Sequence, residues 1–388
     1  MKKSFLNKIA TYVACVAVAT TYLSVGNVYA AEEVKNKNCN LEIISSEVPT
    51  AIISYGKNVF GSLQLDDIEY LDLDVKSAKD IRLCSQFQAF DDESLNPYNI
   101  YYFPVIEDKE VIAVLTVSES QSDGTLSYQF GKDDMTYVLN TACSKYDAPV
   151  EIHLHDECYY AVNSETTDML YSNNSANTKT SVGSEIQLCT NVTDSTIVDI
   201  SMDSAFSEEI ASVATTYIGK KRPVVYVNNY VSNGHGTCWA SCVGALSTYY
   251  NNPSTGGTET DGSNIRYAAI LHYGATGDID TVKNAINYYN NIVMTKITGS
   301  LSWSSLKTQI FTNNAPFYSQ WTTSASGAAA HAMVVSGYRY DQANPSNSSS
   351  YGIYVMDPNH GTNQLISYGG TYTINGNPYT WSKTLYKS

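Results

Sequence analysis

The chain has 388 residues, with 23 Lys/Arg against 38 Asp/Glu and a formal net charge of −15. That acidity excludes nucleic acid as an expected partner, and the length is too great for one ordinary domain. The charge is uneven: residues 223–388 carry 7 Lys/Arg and 6 Asp/Glu, so nearly all the excess acid precedes residue 223.

Residues 2–8 are basic, residues 9–25 are largely apolar, and Val28-Tyr29-Ala30 offers a small-x-small cleavage site. This pattern predicts a secretory signal peptide over residues 1–30. No second run of about 18 apolar residues follows, so a secreted, extracellular protein with no membrane anchor is expected. The short Lys-rich start suits a bacterial export signal. Eight cysteines are present at 15, 39, 84, 143, 158, 189, 238 and 242. Cys15 leaves with the signal, and the odd remainder leaves at least one free thiol.

Residues 31–50 read as a polar lead-in. From 51 to 160 short apolar runs alternate with turns, and the stretch IYYFPVIEDKEVIAVLTVSESQSDGTLSYQF reads as an antiparallel meander turning at Asp108-Lys109 and at Ser122-Asp123-Gly124. A Ser/Thr/Asn-rich stretch begins at 163, and residues 163–222 read as a linker with a short helix over 202–219. Lys220-Lys221-Arg222 is the most basic spot in the chain, and it marks the boundary before a strand-like PVVYV at 223–227.

Beyond it, CWASCVGALSTYYN (238–251) predicts a helix stopped by Asn251-Asn252-Pro253. A second helix is expected over 278–292 and a third over 301–317, the latter capped by Ser302 or Ser304 and stopped at Asn313-Asn314. HAMVVSGYRY (331–340) and YGIYVMD (351–357) read as strands, with more strands in the tail. The class is α+β, helices first and sheet last.

The chemistry centres on SNGHGTCWASC, residues 232–242. Cys238 sits where a polar loop becomes a helix, near the positive end of the macrodipole. That position favours thiolate below the usual pKa of about 8.5. A buried structural cysteine is the plainer alternative, and it suits Cys242, one turn on. Cys238, Cys242 and His235 lack the second Cys/His pair of a zinc cluster, so no metal is expected. A nucleophilic thiol needs a base. His235 lies in the same loop, His272 in an apolar segment that suits a core residue, and His360 in the turn DPNHG. His331 opens a strand, a rigid place from which to aim an imidazole into a cleft. The next strand ends in Asp357-Pro358-Asn359, and Asp357 or Asn359 is placed to orient that ring.

Cys-Trp at a helix start, then His-Ala-Met-Val-Val-x-Gly-Tyr, then a strand ending in Asp-Pro: in this order the chain resembles the papain-like cysteine peptidases, in particular the compact bacterial branch of staphopain-like and C39-like enzymes. The resemblance covers residues 223–388. It implies a papain-like C-terminal domain of helices packed on an antiparallel sheet or half-barrel, preceded by a small β-rich α+β prodomain over 31–222. It also implies Cys238 as nucleophile, His331 as base and Asp357, the residue before Pro, as third member, with Asn359 as the alternative. Asn233 would stand in for the upstream oxyanion Gln. Protein or peptide substrates, a propeptide acting as intramolecular inhibitor, a maturation cut between Ser207 and Val225, and no cofactor complete the expectation. Two features depart from papain and the cathepsins. Gly236-Thr237 precede Cys238 in place of their local pattern, and His331 follows Cys238 by 93 residues against about 130–150 for their downstream triad residues. Another thiol acyl transfer, of transglutaminase or amidase type, uses the same trio. A surface binding module with a degenerate site is the reading from another class.

Overall fold

A computed structural model describes residues 40–388, apart from 74, 76–79, 92–97, 156–157, 173–194, 203, 207–216, 230–236, 324–329, 361 and 375. The expected signal peptide lies outside the described residues.

The first half opens with β1 (Leu41–Ser46), in which buried Leu41, Ile43 and Ser45 alternate with more exposed neighbours. The polar lead-in therefore contains a strand, made by period-two patterning too short to stand out among polar residues. Helices α1 (Thr50–Gly61) and α2 (Leu65–Tyr70) follow, then β2 (Ile81–Leu83) and β3 (Phe90–Asp91). The expected meander is β4 (Tyr98–Glu107), β5 (Glu110–Ser120) and β6 (Leu126–Gly131). Its first turn uses Asp108 in the left-handed region at φ 55. Next come α3 (Asp134–Lys145), β7 (Val150–His155), β8 (Cys158–Val162), β9 (Thr167–Ser172), β10 (Ser195–Ile200) and β11 (Tyr217–Lys221). The stretch read as linker thus includes strands. The helix expected over 202–219 gives way to β11 at its end, and its 207–216 portion lies outside the described residues.

The second half begins with α4 (Cys238–Asn251), α5 (Glu259–Tyr273) and α6 (Ile279–Asn290), then β12 (Met294–Thr298) and α7 (Trp303–Lys307). Ser302 caps α7 by accepting from the Ser305 N–H, and the helix runs into a π-turn over Thr308–Thr312. The tail is sheet: β13 (Phe317–Thr322), β14 (His331–Asp341), β15 (Gly352–Met356), β16 (Asn363–Ser367), β17 (Tyr372–Ile374) and β18 (Asn377–Lys387). Pro223–Val227 form no strand; Val224 and Val227 are buried in the core beneath α4 instead. Among the described residues no helix is long and apolar enough to cross a membrane.

Two sheets result. The smaller runs β10-β1-β7-β8-β9, with β3 beside β7, and the larger runs β12-β18-β13-β14-β15-β16-β6-β5-β4-β2. β14 explains the continuous run HAMVV. Ala332 and Val334 pack into the core under α4–α6, whereas Met333 and Val335 pack into an aromatic-rich core that includes Trp321 and Tyr372. Successive side chains point to opposite faces, and both faces are covered.

The larger sheet crosses the boundary read at residue 222. β16 pairs with β6 through Leu365↔Phe130 and Ile366↔Gln129, and β11 pairs with β14 from Tyr217↔Asp341 to Lys221↔Gly337. Arg339, buried on β14, donates from Nη1 to Asp67 Oδ2 of α2 at 2.5 Å, and Lys221 Nζ lies 3.1 Å from Asp67 Oδ1. Of the basic triplet only Lys220 is exposed. Lys221 and Arg222 are half-buried, and Arg222 Nε donates to the Ile310 carbonyl at 2.7 Å. Cys143 is disulfide-bonded, whereas Cys84, Cys158, Cys238 and Cys242 are free.

Candidate active site

Cys238 is the first residue of α4, preceded by Thr237 at the cap position. Helix geometry leaves the first N–H groups of α4 without intrahelical partners, so the backbone around Cys238 presents donors beside the thiol. Both Cys238 and the Trp239 indole are nearly buried. The indole N–H is anchored on the Ala275 carbonyl at 3.0 Å. Cys242, one turn on, is completely buried, and burial pushes its thiol well above the ordinary value. It packs as a small apolar residue, as its position in the helix implies.

β14 and β15 bring the other two groups together. Val334 pairs with Met356, so the residue after β15 arrives beside the start of β14. His331 Nε2 and Asp357 Oδ1 are 2.7 Å apart, with His331 6% and Asp357 0% exposed. The same imidazole interacts with the Cys238 thiol. Burial lowers the His331 pKa. The Asp357 charge and hydrogen bond, together with the Cys238 contact, outweigh it and push the imidazole up to about 10. Burial raises Asp357. The imidazoles of His331 and His360 and the hydrogen bonds from His331 and Tyr372 overcome this and hold the carboxyl well below the usual carboxylate range.

Asp357 is further fixed by the Tyr372 hydroxyl, which donates to Oδ2 at 2.5 Å, and by the Asn359 N–H, which donates to Oδ1 at 2.8 Å. His360 is buried behind it, its Nε2 3.4 Å from Asp357 Oδ2 and its Nδ1 4.0 Å from Asp134 Oδ1 at the start of α3. The Asn359 side chain is engaged with Asn229: its Oδ1 accepts from Asn229 Nδ2 at 2.9 Å. Cys238, His331 and Asp357 therefore form one constellation, and Asn359 sits at its edge. His272 is exposed on α5 and stacked on Tyr288, so its expected place in the core does not hold. Asn233 and His235 lie outside the described residues.

Sequence reasoning singled out neither Tyr372 nor Asn229 for the parts they take. Tyr372 comes from β17, remote in sequence from every motif, and one tyrosine among 32 carries no signal. Asn229 lies nine residues before Cys238, outside the SNGHGTCWASC stretch. Among the described residues no group of His, Cys, Asp and Glu has the arrangement of a metal centre.

Residues 220–370 match the family model described as papain-like cysteine protease AvrRpt2. No curated protein matches the chain. With Cys238 at a helix start and the helices packed on an antiparallel sheet, this segment is a papain-like cysteine peptidase, a cysteine-type hydrolase acting on protein or peptide.

Proposed function

We propose that the papain-like peptidase is a secreted endopeptidase, made as a zymogen, with Cys238 as nucleophile, His331 as acid–base and Asp357 as the group that orients His331. The observation that carries this reading is the single constellation of helix-start thiol, imidazole and buried carboxylate. The Cys238 thiolate attacks the scissile carbonyl, and the oxyanion that develops is stabilised by N–H groups at the start of α4. His331, charged by the proton from the thiol, gives it to the leaving amine. The acyl group remains on sulfur as a thioester. His331 then takes a proton from water, the hydroxide attacks the thioester, and the acid leaves while the thiol is restored. Asp357 stays ionised throughout and stabilises the imidazolium. Asn233, five residues before Cys238 in the sequence, is a further oxyanion donor in this reading.

Residues 1–30 direct export, residues 31–222 act as propeptide, and maturation cuts the chain between Ser207 and Val225. The basic-apolar leader and the break in charge at residue 223 support this. Cleavage of a fluorescently labelled, denatured protein substrate by purified material tests the chemistry. Wild type is expected to cleave it and Cys238→Ala to be inert, and cleavage by the Cys238→Ala chain overturns the assignment. N-terminal sequencing of active secreted material tests maturation. An active form that begins near Ala31 overturns the propeptide role.

A further inference from the structure

The catalytic reading places three groups on two separate pieces of chain: Cys238 on α4, and His331 and Asp357 on the sheet. Something must fix the distance between them. Asn229 lies where the two pieces meet. Its Oδ1 accepts from the Thr237 N–H at 2.9 Å and from the Thr237 hydroxyl at 3.0 Å. Its Nδ2 donates to Asn359 Oδ1 at 2.9 Å, and its own N–H donates to the Pro358 carbonyl at 2.7 Å. One amide thus grips the residue before the nucleophile with its oxygen and the second residue after Asp357 with its nitrogen. The same turn is held from the other side, where the Asn359 N–H donates to Asp357 Oδ1. The segment entering this clamp is fixed as well. The Asn228 carbonyl accepts from the Ser241 hydroxyl of α4 at 2.9 Å and from Arg266 Nη1 of α5, and Tyr226 hydroxyl donates to the Pro358 carbonyl at 3.1 Å.

We infer that Asn229 is a positioning residue for the peptidase reaction: it fastens the start of α4 to the Asp357 turn and so sets the reach from the Cys238 thiol to the His331–Asp357 pair. The inference rests on the catalytic reading above and adds a residue to it. Each end of the Asn229 amide holds a partner, so it acts through Thr237 and Asn359. Ala removes both grips, Asp keeps the acceptor for Thr237 but loses the donor to Asn359, and Asn359→Ala loses only the far grip.

A displacement on the order of 1 Å between reacting groups costs about 100-fold in rate. Asn229→Ala in the full-length chain is expected to lower kcat on a labelled denatured protein by about that factor with KM little changed. The acid limb of Cys238 alkylation by iodoacetamide, read by mass spectrometry of the Cys238 peptide, is expected to move to higher pH, because the thiol no longer sits squarely against the imidazole. Asn229→Asp falls between Ala and wild type. The Asn229→Ala/Asn359→Ala double variant loses no more than Asn229→Ala alone, because both changes open the same link. If the Asn229 variant does not fold, Asn359→Ala reads the same link from the other side and is expected to lower kcat and shift the alkylation profile. Wild-type kcat and an unmoved profile in the folded variants overturn the inference, as does full additivity in the double variant. Activity that survives Cys238→Ala overturns the catalytic reading instead, so the two failures are told apart.

Discussion

Asp357 has no exposed surface, yet three donors converge on it: the His331 imidazole, the Tyr372 hydroxyl and the Asn359 N–H. A buried carboxylate so supplied is stable only while its partners remain, and His331 is stable as a cation only while Asp357 remains. Removing one partner of a buried pair costs about 3–5 kcal/mol. Asp357→Ala is therefore expected to lower folding stability by that order and kcat by roughly 10⁴-fold, the scale seen when the carboxylate of such a triad is lost. The pH dependence follows from the two shifts. The folded His331 lies at about 10, above an unfolded value of about 6.5. Its contribution is full below about 6.5 and is lost as pH rises through about 10. Asp357 is depressed below an unfolded value of about 3.9, so its contribution is present above that pH and is lost as pH falls further. The gap in denaturation midpoint between wild type and Asp357→Ala should be widest between about pH 4 and 6.5 and should narrow toward pH 10. A gap that widens on the alkaline side contradicts the pairing.

At the scale of elements, the first turn of α4 is held in place by Trp239, whose indole is pinned on the Ala275 carbonyl. Gly277 lies against the same ring: a Cβ there would come within 2.5 Å of Trp239 Cδ2. An indole is rigid, so Gly277→Ala must push the ring and the start of α4 with it. Loss of about 1–3 kcal/mol from overpacking and a fall in kcat of up to about 100-fold are expected from thermal unfolding and steady-state kinetics. By contrast, Asp278 caps α6 by accepting from the Thr281 N–H at 2.8 Å. Asp278→Ala should cost about 1 kcal/mol of stability and leave kcat unchanged. This contrast also marks what the sequence reveals. Helices α4 and α6, the meander β4–β6, and strands β14 and β15 carry strong periodic or capping signals, and with them Cys238, His331 and Asp357 were legible. α5 was not: Gly262 and Asp261 sit in its first turns, and of its residues only Gly262, Ile265, Arg266 and Ala269 are buried, too few to mark an apolar stripe. PVVYV has the composition of a strand, but Pro223 removes a ladder donor and the valines are used in the core under α4. Tyr372, His360 and Asn229 were not legible as partners of one turn, because only the sheet register brings them to Asp357 and Asn359.

At the scale of the whole molecule, the acidic half and the peptidase half share a sheet and a buried charge cluster. β6 pairs with β16, and Arg339 of β14 is neutralised by Asp67 of α2 while also donating to the Ser62 carbonyl at 2.7 Å. Asp67→Ala strands a buried guanidinium and should destabilise the chain by about 3–5 kcal/mol, read as a shift of denaturant midpoint. A chain nicked between Ser207 and Val225 keeps both links. Its two pieces are expected to elute together on size exclusion at neutral pH, and their separation there would contradict a joined sheet. The reading of export and maturation depends on such experiments, whereas the chemistry depends on one thiol. Its most direct test is to treat the active protein with the epoxide inhibitor E-64 and locate the adduct by peptide mass spectrometry while following proteolysis. The account predicts one adduct, on Cys238, formed in step with complete loss of proteolysis. Proteolysis that persists with Cys238 fully modified, or inactivation with the adduct on Cys84, Cys158 or Cys242, would contradict it.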